Sequence, residues 1–239
     1  MQDAKDTQMP PDALWLSGRR VLAIVVGHDF CAAVAQGLAD LGALVGRAEI
    51  DAASRESVGG SIDAAIAEHG SPNLVLLNVI PEPAMRPVAI TDMANADWRA
   101  TAQDGLRTTT RILQALEMHL RPQGGAIVFV APSLSLVGAP GMIALSTLLE
   151  GQRGLMKSVA RQWGASGVAL NWIAAAPRAL ASFEGVALAA KPDAVSVALG
   201  RAPDARSEIA PVLSFLASPA GRVMTGATLM VDGGEWMTP

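Results

Sequence analysis

Residues Gly124–Pro177 read GGAIVFVAPSLSLVGAPGMIALSTLLEGQRGLMKSVARQWGASGVALNWIAAAP. An apolar run, a loop, a long amphipathic segment and a second apolar run follow one another, which predicts strand, loop, helix and strand. Leu145, Leu148, Leu149, Gln152, Met156, Val159 and Trp163 fall on neighbouring faces of that helix at helical spacing.

The same alternation extends outward in both directions. Upstream, RRVLAIVVGHDFCAAVAQGLADLGALV predicts a buried strand over Val21–Val26, a turn, and a helix ending at Gly42. The segment ALVGRAEIDAASRESVGGSIDAAIAEHG passes from a second strand almost directly into a helix that leads to NLVLLNVIPEP, a third strand, and a further amphipathic helix covers roughly Asp97 to Leu120. Downstream, SEIAPVLSFLASPAGRVMTGATLMVDGGEW predicts a last helix and a last strand. Strand and helix alternating in this way predict one α/β domain over residues 19–239, a Rossmann-type, doubly wound, mostly parallel sheet with helices on both faces. Residues 1–18 are expected to form a flexible extension.

Composition narrows the classes of function. The 239 residues are 51% hydrophobic and only 17% charged, which fits a compact body with much buried surface, subunit interfaces included. A formal charge of −4 and a pI near 5.4, without clustered Lys and Arg, argue against a nucleic-acid surface. No run of eighteen uncharged apolar residues occurs, so no membrane span is expected. The single cysteine, Cys31, forms no internal disulfide and is compatible with a reducing cytoplasm, the expected location. The first residues have no basic head followed by an apolar core, so they do not read as a secretory signal. His28, His69 and His119 lie far apart in the sequence, and no metal site is expected. Ser133 and Ser135 have no paired base in the motif and read as loop hydrogen-bonding residues.

The motifs VGAPG, GLMKSVARQW, FLASP and VDGG, in this order of elements, resemble the short-chain dehydrogenase/reductase superfamily over about Gly18 to Trp236. The resemblance implies a catalytic serine at the end of the strand, a Tyr and a Lys four residues apart on the helix, and an inward Asn on the preceding helix. Matched residue by residue, Pro132 stands at the serine position, Leu145 at the Tyr, Leu149 at the Lys and Gly105 at the Asn. None of these side chains can give, take or relay a proton. A shifted register could bring Ser133 or Ser135 into the serine role, but it cannot supply the phenol, because the chain contains no tyrosine.

The family's cofactor turn, TGxxxGxG, is kept here only at Gly27. Val26 replaces the Thr, while Cys31 and Ala33 hold the second and third glycine positions. A side chain at Cys31 is expected to intrude where the cofactor backbone would sit, and Asp29 brings negative charge toward a diphosphate. The short connection from the second strand to NLVLLNVI implies that one helix and the edge strand beside the adenosine half are missing. Asp51, which matches the family's adenine-contacting Asp, is expected to be a helix N-cap instead. In the strand that ends NNAG in the family, Asn78 is kept, while Val79 and Ile80 replace small residues. Beyond Asn171, Ala175 and Ala176 replace the family's PG, and the loop from Arg178 to Arg206 is expected to lie over the vestigial cleft. The Asp232, Gly233, Gly234 ending reads as a turn after the last strand.

These departures imply that this chain binds no cofactor, with NAD or NADP expected on an active partner subunit. The expected function is a non-catalytic subunit that stabilises or regulates an active short-chain dehydrogenase in a heterotetramer. Hydroxyacyl-CoA and alcohol dehydrogenases of aromatic degradation are the kinds of partner the resemblance suggests. A homo-oligomeric small-molecule or nucleotide-binding protein without turnover is the alternative. An enzyme with relocated catalytic groups is a third reading, for which the sequence offers no replacement acid and base.

Overall fold

The computed structural model describes residues 15–180 and 197–237. Its core is a six-stranded, all-parallel sheet made of β1 (Arg20–Gly27), β2 (Leu44–Glu49), β3 (Leu74–Ile80), β4 (Gly125–Pro132), β5 (Val168–Ala175) and β6 (Thr228–Val231), in the order β2-β1-β3-β4-β5-β6. Every residue of β3, β4 and β5 is buried. Strands covered on both faces have no solvent side to mark with polar residues, so LVLLNVI, GAIVFVAP and VALNWIAA are nearly continuous apolar runs. The border strands β2 and β6 carry more polar or half-exposed positions.

The helices are α1 (Ala32–Asp40), α2 (Arg55–His69), α3 (Asn95–Trp98), α4 (Asp104–Leu120), α5 (Leu134–Val137), α6 (Ile143–Trp163) and α7 (Ala210–Ala217). One layer joins α1 to α7, and the other runs from α2 through α4 to α6. Only α2 lies between β2 and β3, which leaves β2 at the border of the sheet, as the short connection predicts.

The structure changes several local expectations. The helix read over 97–120 is split: a π-helical turn, Arg99–Gln103, separates α3 from α4 and so precedes Gly105. Asp51 is not the N-cap of α2. That position belongs to Ser54, whose hydroxyl accepts the Ser57 N–H at 2.9 Å, while Asp51 accepts the Ala53 N–H at 3.0 Å in a turn ahead of it. The cap goes to the residue whose extended backbone faces the helix's free amides. The extension expected to run to residue 18 gives way to the folded body by Trp15, because Leu16 is buried in the core and Arg19 lies over the Trp15 ring. Of the loop Arg178–Arg206, residues 181–196 lie outside the described residues. Among the described residues no helix is long and apolar enough to cross a membrane.

Candidate functional site

The carboxyl ends of the strands converge on one rim of the sheet. On one side of it, α6 presents Leu145 and Leu149 inward, 1% and 0% exposed, as members of the main apolar core. Above Leu145 a crevice lined in part by Pro83, Val88, Met93, Met142 and Ala144 narrows to about 10 Å³, room for about one water. The segment after β3 closes over it, tied down by the Val88 N–H donating to the Gly141 carbonyl at 2.9 Å. Pro132 is the last residue of β4, buried and in register with Ala175. Gly105 lies so close to α6 that a Cβ built on it would come within 2.8 Å of a Leu148 methyl. The space an Asn side chain would need is taken by leucine.

A buried polar network underlies this apolar patch, and it was not legible in the sequence. The Gln152 amide on α6 donates to the Val79 carbonyl and to the Thr109 hydroxyl, both at 2.9 Å, and Thr109 donates to the Gly105 carbonyl at 2.9 Å. The β3–β4 ladder ends at Leu77 and Phe129, which leaves the Val79 carbonyl to Gln152. Asn78 bridges the same gap by donating to the Val130 carbonyl at 2.9 Å, and its buried Oδ1 has no hydrogen-bond partner among the described residues. A glutamine seven residues after Leu145 in an otherwise apolar stripe is the only sequence signal for this network. Ser133 does not act as the loop hydrogen-bonding side chain expected of it: its hydroxyl is buried without a partner among the described residues, and the turn is held by backbone bonds such as Ser133 N–H to Ala175 O.

On the other side of the rim, the β1–α1 turn is packed tightly on β3. Gly27 has φ +79°, and a Cβ there would sit 2.1 Å from the Ile80 carbonyl oxygen, so only glycine fits. Cys31 does not project into the turn as expected. It is 1% exposed and belongs to the core, where burial first, and the Asp29 charge second, push its thiol pKa well above the usual range. Ala33 is exposed on the first turn of α1. Asp29 Oδ1 accepts the Cys31 N–H at 3.1 Å, and its Oδ2 lies 2.6 Å from Arg47 Nη2 on β2. His28 Nε2 lies 2.9 Å from a Glu82 carboxylate oxygen, and its ring stacks on Phe30.

The three histidines pair separately, His28 with Glu82, His69 with Glu68 and His119 with Asp63. Among the described residues no three metal-ligating side chains cluster. Asp232 accepts the Gly234 and Trp236 N–H groups, which makes the ending after β6 a side-chain-capped turn, as read from the sequence. Away from the rim, Arg206 pairs with Asp40 at the end of α1 and Arg201 grips Glu208 with both guanidinium arms. The Arg201 hydrogen bonds hold the Glu208 carboxyl at about 2.

A six-stranded parallel sheet whose strand order reverses between β1 and β3, with a rim of loops beyond the strand ends, defines an α/β protein of the dinucleotide-binding architecture. A family model described as Enoyl-(Acyl carrier protein) reductase matches residues 12–235. The chain belongs to the short-chain dehydrogenase/reductase family. It is 30% identical to the cis-4-hydroxycyclohexanecarboxylate dehydrogenase of Sinomonas cyclohexanicum, over 92% of this chain and 88% of that one. Its fold matches a short-chain dehydrogenase/reductase of Serratia marcescens at a TM-score of 0.75 and 20% identity, over 92% of this chain and 98% of that one. It also matches a blue fluorescent protein from a metagenomic library, in complex with NADPH, at a TM-score of 0.74 and 22% identity, with the same coverage of 92% and 98%.

Proposed function

We propose that this chain is a non-catalytic subunit that assembles with, and stabilises or regulates, an active short-chain dehydrogenase carrying the NAD or NADP. The observation behind this reading is that the four family catalytic positions hold Pro132, Leu145, Leu149 and Gly105, all buried, in a chain without tyrosine. Loss of one positioned general acid costs roughly 10²- to 10⁴-fold in rate. Losing the whole group together leaves little beyond binding. The turn that meets a diphosphate in this family does not fit one here, because the Asp29 carboxylate already takes the Cys31 amide and would repel the ligand.

The surface supports an assembly role. Border strand β6, with Leu229, Met230 and Val231, is half-exposed along its length, and elsewhere Phe215 on α7 and Val223 are 39% and 83% exposed. A half-exposed apolar sheet border, unpaired among the described residues, is a surface that a partner would cover. The test is to express the chain with and without an active short-chain dehydrogenase from the same cell, then measure native mass and turnover. Mixed tetramers, with a partner that is more stable or more active than when alone, are expected. A partner that is fully active, soluble and tetrameric alone, and never co-purifies with this chain, would refute the proposal.

A further inference from the structure

In open parallel sheets, ligands bind beyond the strand ends at the point where strand order reverses. Here one ion pair crosses that point and a second flanks it on the β2 side. His28, one residue past β1, meets Glu82, two residues past β3, and Asp29 meets Arg47 on β2. Beneath them the His28 N–H donates to the Ile80 carbonyl at 3.0 Å, next to the close contact of Gly27, so the ends of β1 and β3 are drawn together without slack.

We infer that Asp29 is a built-in anion that latches the β1–α1 turn shut, with Arg47 as its counter-ion. The start of α1 carries free amides and the positive end of a helix dipole, the setting that attracts phosphate. No acidic residue lies in the first turn of α1 itself. Asp29 supplies the missing charge from outside the helix: one carboxylate oxygen accepts the Cys31 N–H and the other holds Arg47. An arriving phosphate would meet a like charge and would have to displace both contacts. The turn is therefore blocked by occupancy rather than by collapse, and removing one carboxylate should uncover it. This rests on the reading above that the turn holds no dinucleotide.

The test is titration calorimetry of the full chain with inorganic pyrophosphate and ADP, using wild type, Asp29→Ala, Asp29→Asn and the double variant Asp29→Ala/Arg47→Ala, with circular dichroism to confirm folding. Asp29→Ala should bind pyrophosphate at least about tenfold more tightly than wild type, because an amide, a helix end and a guanidinium are released together. Adding Arg47→Ala should reduce the gain by the share that the freed guanidinium supplies. Asp29→Asn, which removes the charge at nearly constant shape, should fall between, and it stands in if the alanine variant does not fold. The latch is overturned if neither single variant binds more tightly than wild type, and Arg47's part in it if the double variant binds as tightly as Asp29→Ala. Micromolar binding of NAD(H) or NADP(H) by wild type would instead refute the cofactor-free reading; silence in wild type and variants alike would refute the latch alone.

Discussion

The two halves of the rim are closed by opposite chemistry. Around α6 the closure is mainly apolar: Leu145 and Leu149 sit in the core, Leu148 fills the space beside Gly105, and the crevice, which the exposed Arg86–Asp97 ion pair also lines, holds room for about one water. At the β1–α1 turn it is ionic and partly solvated, with Asp29 and Arg47 side chains 34% and 52% exposed. Apolar burial contributes about 1.5–3 kcal/mol per large side chain, whereas an exposed ion pair contributes about 0–1 kcal/mol. The α6 half is thus integral to stability, and the β1–α1 half is closed by contacts whose removal the fold should tolerate.

The comparison is most exposed to failure at Leu149. Leu149→Lys places an ammonium at a fully buried position and should destabilise the chain by about 3–5 kcal/mol or abolish folding. Denaturant melts would show this, and a variant as stable as wild type would mean that the pocket is open. Leu145→Tyr should cost about 1–3 kcal/mol through overpacking, and assays of the purified variant with NAD(P) and secondary alcohols should show no turnover. Gln152→Leu should cost a similar amount, about 1–3 kcal/mol, because the Val79 carbonyl loses its donor. The latch variants Asp29→Ala and Arg47→Ala should each change stability by less than about 1 kcal/mol, and a larger loss by thermal melt would erase the contrast between the halves.

The smallest effect should come from acid. Glu208 is held at about 2 against an ordinary 4.5, chiefly by its hydrogen bonds from Arg201. A carboxyl lowered on folding contributes fully above the unfolded value, so its contribution is intact above about pH 4.5 and is lost as the pH falls toward 2. Asp40 and Asp204 are lowered too, by the Arg206 and Ser207 hydrogen bonds respectively, and add to the same loss. Because these groups are exposed, solvent screening keeps the effect small. Thermal melts from pH 6 to pH 2 should show Glu208→Gln with a shallower decline than wild type.

Most of the architecture was readable because its signals are local or are simple counts. Buried parallel strands show as unbroken apolar runs, α6 shows as a helical stripe, and a short span before β3 leaves no room for another helix and strand. The absence of tyrosine needs no alignment. The site was readable only as far as it depends on which residues are missing. Cys31 was expected to block the turn, yet its side chain is taken into the core, and Asp51 lost the cap to Ser54 three residues on. Each outcome depends on the direction of a bond, which residue identity does not specify.

The order of residues by itself determined the alternation of strands and helices and the lack of any phenol, amine or hydroxyl at the family's catalytic positions. Only the folded chain decided how the vacated space is used: Gln152 reaching the Val79 carbonyl, Leu148 filling the place beside Gly105, and Arg47 meeting Asp29 across two strands. The reason is range. Secondary structure follows from neighbours a few residues apart, whereas these contacts join residues 18 and 73 positions apart for Arg47–Asp29 and Gln152–Val79, brought together only when the sheet assembles.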